Sequence, residues 1–186
     1  MKNMTIWNIA RACKGHLAVP AGKHTGTCPA AGMAVIRGYS GKEAAGIVID
    51  SRKVEPGDIF VAIRGERVDG HQFIREVFDK GAIAVVCEEE PEELPGPCIR
   101  VEDSLAALRQ IAAFYREQMP IPIVGITGSV GKTSTKEFVA SVLAQKYKTH
   151  KTQGNFNNEI GVPLTLLAMP EDTEAAVVEM GINHFG

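Results

Sequence analysis

The sequence lacks the features that mark a membrane-spanning, secreted or nucleic-acid-binding chain. No apolar run approaches the length of a bilayer span, and residues 1–10 hold no apolar core of the kind that a signal peptide requires. Lysine and arginine are scattered, and the formal net charge of −2 argues against a nucleic-acid binder that works through bulk electrostatics. We therefore expect no membrane partner and no nucleic-acid partner.

Cysteine is also scarce, and its spacing excludes the common structural uses. The four cysteines form no Cys-x-x-Cys pair and have no histidine at metal-ligand spacing; they are Cys13, Cys28, Cys87 and Cys98. Cys87 and Cys98 lie in apolar runs, which predicts small core residues rather than disulfide partners. This pattern is typical of a reducing compartment, and we expect the protein to be cytoplasmic.

What is present is a globular composition arranged as alternating strands and helices. Apolar residues make up 45% of the chain and charged residues 23%, and 186 residues are enough for one medium or two small domains. Two helical patterns follow the candidate caps Asp69 and Asp103, and the first of these helices is expected to stop at Gly81. The expected strands cover 46–50, 59–63, 82–87 and 98–101. This alternation predicts an α/β fold.

Proline marks the expected domain boundary. The segment 119–122 contains two prolines so close together that a helix cannot continue through them, and they favour an extended connector. We therefore expect one small α/β domain over residues 1–119 and a second domain over residues 120–186. Within the first domain a helix is predicted near 5–13. The segment 19–41 shows no regular hydrophobic periodicity and is assigned to loops and short strands.

The second domain opens with an apolar strand, 121–127, which is followed by a glycine-rich turn and a helical pattern. Further strands are expected over 147–152 and 175–179, with a helix that starts near Pro163 between them. The first helix of the domain groups four apolar residues on one face: Phe138, Val139, Val142 and Leu143. A β-α-β-α-β unit covers about half of a doubly wound nucleotide-binding domain, so this segment is expected to be the first, truncated part of one.

The turn after strand 121–127 has the composition of a phosphate-binding loop. It reads Gly128-x-x-Gly131-Lys132-Thr133, although the commonest phosphate loop has glycine at the position of Ile126. Lys132 would reach the terminal phosphates of a nucleotide, and Thr133 would place its hydroxyl on Mg²⁺. The expected nucleotide-binding set is Gly128, Ser129, Val130, Gly131, Lys132, Thr133 and Ser134. The alternative is a glycine-rich turn with an incidental lysine.

Polar residues follow the later strands of the same domain. Glu179 ends a buried strand on the rim that carries the phosphate loop, where a carboxylate could bind the Mg²⁺ of a nucleotide. Asn157 and Asn158 lie in the loop after the second strand, where their amides could hydrogen-bond phosphate or substrate. Position alone also allows an ordinary strand-edge acid and an asparagine-rich turn.

A further candidate site follows the first strand of the first domain. Arg52 could clamp a phosphate or carboxylate with two hydrogen bonds, and Ser51 could add a hydroxyl. The alternative is a solvated loop with a local pair between Asp50 and Arg52, which contributes little. No serine or cysteine pairs with a histidine in a recognisable triad order.

Taken together, these residues resemble the Mur ligase family, the ATP-dependent ligases that build the cell-wall peptide stem. The segment 128–133 matches the phosphate loop of that family, which usually has asparagine where Val130 stands. The segments 50–52, 56–62 and 69–71 resemble the UDP-sugar-binding domain that two of its members share. The resemblance therefore implies a small UDP-sugar-binding domain followed by part of a phosphate-loop ATPase domain.

Within the family, 154–163 and 179–184 resemble the ligases that add D-alanyl-D-alanine (D-Ala-D-Ala). The resemblance implies that ATP phosphorylates the terminal carboxylate of UDP-N-acetylmuramoyl-tripeptide and that the amine of D-Ala-D-Ala attacks the resulting acyl phosphate. It implies ATP and Mg²⁺ as cofactors. We expect the protein to be a monomer.

The same resemblance assigns roles to the candidate residues. Lys132 and Glu179 would be catalytic, and Thr133 would hold Mg²⁺ together with Glu179. Asn157 and Asn158 would contact nucleotide or substrate. In the first domain, Ser51 and Arg52 would bind the UDP-sugar substrate.

The resemblance further implies parts that lie beyond Gly186, namely a carbamylated lysine, another metal-binding histidine and a third domain that binds the amine. We therefore expect the chain alone not to turn over. Three alternatives stay open: a non-catalytic fragment that binds UDP-sugar or nucleotide, another phosphate-loop enzyme such as a kinase or a folate-type polyglutamate ligase, and the preceding Mur ligase. The Asp-Ser-Arg segment argues against the second alternative, and the asparagine-rich loop argues against the third.

Overall fold

The computed structural model describes residues 1–20, 38–39, 41–65 and 68–181. Cys28, most of the segment 19–41 and the end of the segment 179–184 lie outside the described residues, and so do the expectations attached to them. The chain divides into two compact units, Met1–Ile111 and Ala112–Gly186. The proline-based boundary after residue 119 stays a prediction.

The first unit is built on a five-stranded mixed sheet. Its strands are ordered β1-β5-β4-β3-β2, and all neighbours are parallel except β1 and β5. In chain order they are β1 (His16–Ala18), β2 (Ile47–Val48), β3 (Ile59–Val61), β4 (Ala84–Cys87) and β5 (Cys98–Arg100). Helices α1 (Ile6–Ala12) and α2 (Ile74–Asp79) belong to this unit, and α3 (Ser104–Glu117) runs across the division between the units. The α/β prediction is confirmed.

Apolar runs and local caps explain why these elements form. Strands β3 and β4 are buried along their whole length, as expected for central parallel strands covered on both faces. The Asp69 and Asp103 carboxylates accept hydrogen bonds from backbone N–H groups just after them, which confirms both predicted caps. Gly81 ends α2 with a φ of +98°. The core cluster consists of Val54, Phe60, Ala62, Ile74, Val77, Ala82, Val85, Cys87 and Cys98.

The second unit is a three-stranded parallel sheet with its helices in the crossovers. Its elements are β6 (Ile123–Ile126), α4 (Lys132–Leu143), β7 (Thr149–Lys151), α5 (Gly161–Leu167) and β8 (Ala175–Glu179). The strand order is β6-β8-β7, so the fully buried β8 lies in the centre. Because the strands are parallel, the segments that follow β6, β7 and β8 leave the sheet at one edge.

Helix α4 turns a different face inward from the one that its apolar residues suggest. Val139 and Leu143 are half-buried, but Phe138 and Val142 are 72% and 71% exposed. The buried residues of the helix are Lys136 and Ala140. Among the described residues, no helix combines the length and the apolar content that crossing a membrane requires.

Candidate functional site

The glycine-rich loop joins β6 to α4 and stays open to solvent. Gly128 and Gly131 have φ angles of +140° and +77°, which side-chain-bearing residues rarely adopt. Gly131 occupies the N-cap position of α4, no side chain caps that helix end, and its first turn contains no acidic residue. The first N–H groups of a helix have no partner inside the helix, so this end of α4 presents donors and a positive dipole end to an anion.

Lys132 lies over the loop that it follows. Its Nζ donates a hydrogen bond to the Gly128 carbonyl at 2.8 Å. Ser129, Val130 and Ser134 are exposed, and Val130 is 90% exposed. Among the described residues, the Ser129, Val130 and Ser134 side chains therefore leave this face of the loop open to solvent.

Glu179, at the end of β8, is the residue that the other side chains of the candidate site contact. The residue is 1% exposed, and its Oε1 accepts hydrogen bonds from Thr133 Oγ1 at 3.3 Å and from Asn157 Nδ2 at 2.8 Å. The Glu179 N–H donates to Thr152 Oγ1 at 2.9 Å, which fixes the end of the strand against the segment after β7. The structure therefore brings together three of the predicted residues, Thr133, Asn157 and Glu179.

Opposing effects set the charge of this carboxylate. Burial by itself would raise the pKa of the Glu179 carboxyl, because a charged group is costly to desolvate. Hydrogen bonds from Asn157 and Thr133, together with the Lys136 ammonium 3.6 Å from Oε2, outweigh burial and lower the pKa below its ordinary value. Glu179 is therefore an ionised carboxylate at neutral pH.

The neighbouring asparagines have different environments. The Asn157 side chain reaches Glu179, and its carbonyl accepts the Gly181 N–H at 2.6 Å. Asn158 Oδ1 instead accepts the N–H groups of Ile160 and Gly161, at 3.3 and 2.7 Å, where α5 begins. Asn158 thus has a structural use, and its contact with nucleotide or substrate stays a prediction.

The donor set around Glu179 fits Mg²⁺ held jointly with a nucleotide. The Thr133 hydroxyl and the Glu179 carboxylate are hard oxygen ligands, and Thr133 Oγ1 lies 3.3 Å from Glu179 Oε1. Across the described residues, no group of three or more His, Cys, Asp or Glu side chains could hold a metal by itself. Mg²⁺ commonly takes one or two carboxylates and completes its shell with water and substrate phosphates.

The candidate residues of the first unit form a short 3-10 helix, Ser51–Lys53, directly after β2. Arg52 Nε and Nη2 donate to the two Asp50 carboxylate oxygens, each at 2.8 Å. These hydrogen bonds lower the pKa of Asp50 to about 2. Ser51 is buried, and its carbonyl accepts Lys80 Nζ at 2.9 Å. The local pair that the sequence left open as an alternative is therefore present, and substrate binding by Ser51 and Arg52 stays a prediction.

Sequence reasoning missed Lys136. The residue stands one turn after Lys132 and is as buried as Glu179, whose carboxylate it approaches. The sequence pattern gives only a weak indication of this burial. Lys136 and Ala140 share one face of α4, and that face is the buried one.

Comparison with known sequences identifies relatives along the whole chain. The Mur ligase middle domain matches residues 126–186, and a domain described as Mur ligase family, catalytic domain, matches residues 43–116. The UDP-N-acetylmuramoyl-tripeptide–D-alanyl-D-alanine ligase of Bacillus subtilis is 41% identical over 191 residues, which cover 100% of this chain and 37% of the relative. The Synechocystis enzyme of the same name is 49% identical over 142 residues, which cover 75% of this chain and 31% of the relative. The chain thus spans about a third of the length of these relatives.

Solved structures give a consistent comparison. A crystal structure of MurF from Acinetobacter baumannii superposes with a TM-score of 0.79 at 32% identity, and covers 98% of this chain and 36% of its own. The MurF ligase of Thermotoga maritima in complex with ADP superposes with a TM-score of 0.69 at 38% identity, and covers 74% of this chain and 32% of its own. The described fold therefore has solved counterparts, one of them in complex with ADP.

Proposed function

The chain belongs to the Mur ligase family, and we propose that it forms part of an ATP-dependent ligase that joins D-Ala-D-Ala to UDP-N-acetylmuramoyl-tripeptide. The observation that carries the proposal is the contact at the rim of the second unit. There the hydroxyl that follows the phosphate-loop lysine lies 3.3 Å from a buried carboxylate, beside an uncapped helix N-terminus. These are the groups that a magnesium nucleotide requires.

In the proposed site, the loop and helix end would bind the phosphates of ATP. Backbone N–H groups around Gly131 and the Lys132 ammonium would hold the terminal phosphates, and Lys132 would exchange its present bond to Gly128 for them. Thr133 and Glu179 would hold Mg²⁺, which neutralises charge on the transferring phosphoryl group when it is bound. Asn157 would keep Glu179 oriented, and Asn158 would contact the nucleotide or the substrate.

The proposed reaction has two steps. The tripeptide carboxylate attacks the γ-phosphorus of ATP, so that an acyl phosphate forms and ADP leaves. The amine of D-Ala-D-Ala then attacks the acyl carbon, an amide bond forms, and phosphate leaves while the amine loses a proton. The residues of this chain would align the phosphoryl group with the carboxylate, because phosphoryl transfer depends mainly on positioning and charge stabilisation.

We further propose that the first unit binds the UDP-sugar part of the substrate. Ser51 and Arg52 stand directly after β2, and Arg52 already binds a carboxylate through two parallel hydrogen bonds. A substrate phosphate would share this guanidinium with Asp50 or replace Asp50 as its partner. The protein would act as a cytoplasmic monomer, with no membrane or nucleic-acid partner.

Two measurements test the proposal. The first is the thermal shift of the 186-residue chain with UDP-N-acetylmuramoyl-tripeptide and with an ATP analogue plus Mg²⁺, since a ligand that binds the native state raises its stability. We expect each ligand to raise the melting temperature, and no shift with either would contradict the proposal.

The second measurement identifies the ligase by phosphate release from the parent protein. We expect release with UDP-N-acetylmuramoyl-tripeptide and D-Ala-D-Ala together, and none when a dipeptide substrate and a diamino acid replace them. The reverse preference would identify the preceding Mur ligase. We also expect the 186-residue chain alone to release no phosphate at ordinary ligase rates.

A further inference from the structure

Lys136 is a fully buried lysine that the proposed nucleotide site does not use. It lies in the second turn of α4, and its side chain is 2% exposed. Lysine is almost never fully buried unless it is paired, because removing its charge from water is costly. The contacts of its ammonium group therefore indicate what the residue does.

Those contacts come from two distant segments and from the next residue of the same helix. Lys136 Nζ lies 3.6 Å from Glu179 Oε2 at the end of β8 and 3.5 Å from the Gly154 carbonyl in the loop after β7. It also lies 3.4 Å from Glu137 Oε1, and Glu137 in turn pairs with Lys151 of β7. The ammonium has three N–H protons, so each can face one of these oxygens.

The two oxygens of Glu179 are divided between different partners. Oε1 accepts the hydrogen bonds from Thr133 and Asn157, whereas Oε2 forms an ion pair with the Lys136 ammonium at 3.6 Å. A carboxylate that is held on one oxygen cannot rotate freely, so its other oxygen stays directed at Thr133. The same ammonium holds the carbonyl of Gly154, three residues before Asn157.

We propose that Lys136 is a positioning residue for the magnesium-nucleotide site. Its ammonium anchors Glu179 Oε2 and the Gly154 carbonyl, so that the carboxylate and the loop carrying Asn157 keep one arrangement relative to the phosphate loop. The inference rests on the proposed function, since it concerns the carboxylate that would hold Mg²⁺. Removing a residue that orients a metal ligand typically lowers the metal affinity by about 10- to 100-fold.

The test is calorimetric binding of AMP-PNP, an ATP analogue, to the 186-residue chain in EDTA and in Mg²⁺. The measured quantity is the dissociation constant in EDTA divided by the dissociation constant in Mg²⁺. We expect Lys136→Met to reduce this ratio by about tenfold while affinity in EDTA stays close to that of the unchanged chain. A purely structural lysine would lower both affinities together. Lys146→Met, at an exposed lysine just after α4, is the matched control.

A second, ligand-free readout reports on the same contact. The Asn157 side-chain amide, which donates to Glu179 Oε1, gives its own NMR signals. We expect Lys136→Met to shift these signals and Lys146→Met to leave them in place. If Lys136→Met does not fold, the Lys136 ammonium signal of the unchanged chain is compared with that of Glu179→Gln. We expect a protected signal that weakens in this variant.

The outcomes separate the two proposals. If the unchanged chain shows no magnesium-dependent binding, the proposed function fails and this inference fails with it. If the unchanged chain shows magnesium-dependent binding and Lys136→Met keeps the same ratio, only the positioning role is overturned. An absent or unprotected Lys136 ammonium signal would also overturn it.

Discussion

Each of the two units buries a carboxylate, and the two are held in different ways. Asp58 in the first unit is 6% exposed, and its Oδ2 accepts the N–H of Glu55, three residues earlier in the same turn. Glu179 in the second unit is 1% exposed and is held by side chains from distant parts of the chain, Thr133 and Asn157. The partners of Asp58 are local and belong to the backbone, whereas those of Glu179 come from different elements.

This difference distinguishes an acid that is bound within its own turn from the acid that is proposed to hold Mg²⁺. Asp58 stands between Pro56-Gly57 and β3, and its Oδ2 is bound within that same turn. Glu179 keeps one oxygen without a hydrogen bond from any described residue, in a position next to an uncapped helix end. That oxygen faces the Lys136 ammonium at 3.6 Å, so side chains from distant parts of the chain hold the carboxylate at both oxygens, as a preformed site for a ligand would require.

The largest expected effect is on magnesium-dependent binding after removal of the Glu179 charge. Glu179→Gln keeps the shape of the side chain but removes the carboxylate that is proposed to hold the metal. We expect it to abolish the Mg²⁺-dependent part of AMP-PNP affinity, a loss on the order of 100-fold or more. Calorimetric titration in Mg²⁺ and in EDTA measures it. A Mg²⁺ dependence equal to that of the unchanged chain would remove Glu179 from the site.

Substitution of the other buried acid, Asp58, is expected to lower the stability of the first unit without changing nucleotide affinity. Asp58→Ala leaves the Glu55 N–H without its acceptor, which we expect to destabilise the first unit by about 1–3 kcal/mol. Trp7, the one tryptophan of the chain, lies in that unit, so fluorescence in a urea titration follows its unfolding. AMP-PNP affinity should not change. A loss of AMP-PNP affinity without a loss of stability would contradict the structural role of Asp58.

A smaller pair of effects distinguishes the adjacent asparagines. Asn157→Ala removes a hydrogen bond to Glu179 Oε1, and we expect roughly a tenfold loss of Mg²⁺-dependent affinity. Asn158→Ala removes the acceptor of the first N–H groups of α5, and we expect about 1 kcal/mol of lost stability. Melting by circular dichroism and calorimetric titration of both variants measure the two effects. Equal affinity losses would instead support nucleotide contact by both asparagines.

The smallest expected effect is a pH dependence in the second unit. Burial lowers the pKa of His150 below its ordinary value of 6.5, partly offset by its hydrogen bond with the Thr165 carbonyl. The unfolded chain therefore takes up the proton first, and the stability that the neutral ring provides is lost as the pH falls below 6.5. Urea unfolding between pH 7.5 and 5 measures it. His150→Gln should flatten this dependence, whereas His16→Gln, at an exposed histidine, should not.

Local patterns predicted much of the fold and part of the site. The strand–loop–helix order around Gly131, the caps at Asp69 and Asp103 and the position of Glu179 at a strand end all depend on neighbours in sequence, and the structure has each of them. The strand-end rule for parallel sheets also predicted that Glu179 lies on the same rim as the glycine-rich loop, and its Oε1 lies 3.3 Å from Thr133 Oγ1.

The missed features depend on long-range contacts. Lys136 could not be identified because its burial arises from Glu179 and Gly154, which lie far from it in sequence. The exposure of Phe138 and Val142 is missed for the same reason, since an apolar helix face does not reveal whether anything in this chain covers it. Hydrophobic periodicity describes a helix surface, whereas burial depends on the elements packed against it.

We propose that the loop around Gly131 binds the phosphates of a magnesium nucleotide, and substitution of Lys132 is the sharpest test of this role. The measurement is calorimetric titration of the 186-residue chain with AMP-PNP and Mg²⁺, compared with Lys132→Ala and with the exposed control Lys146→Ala. We expect binding by the unchanged chain and by the control, and no measurable binding by Lys132→Ala, whose melting temperature should be preserved. An affinity of Lys132→Ala equal to that of the unchanged chain would contradict the account.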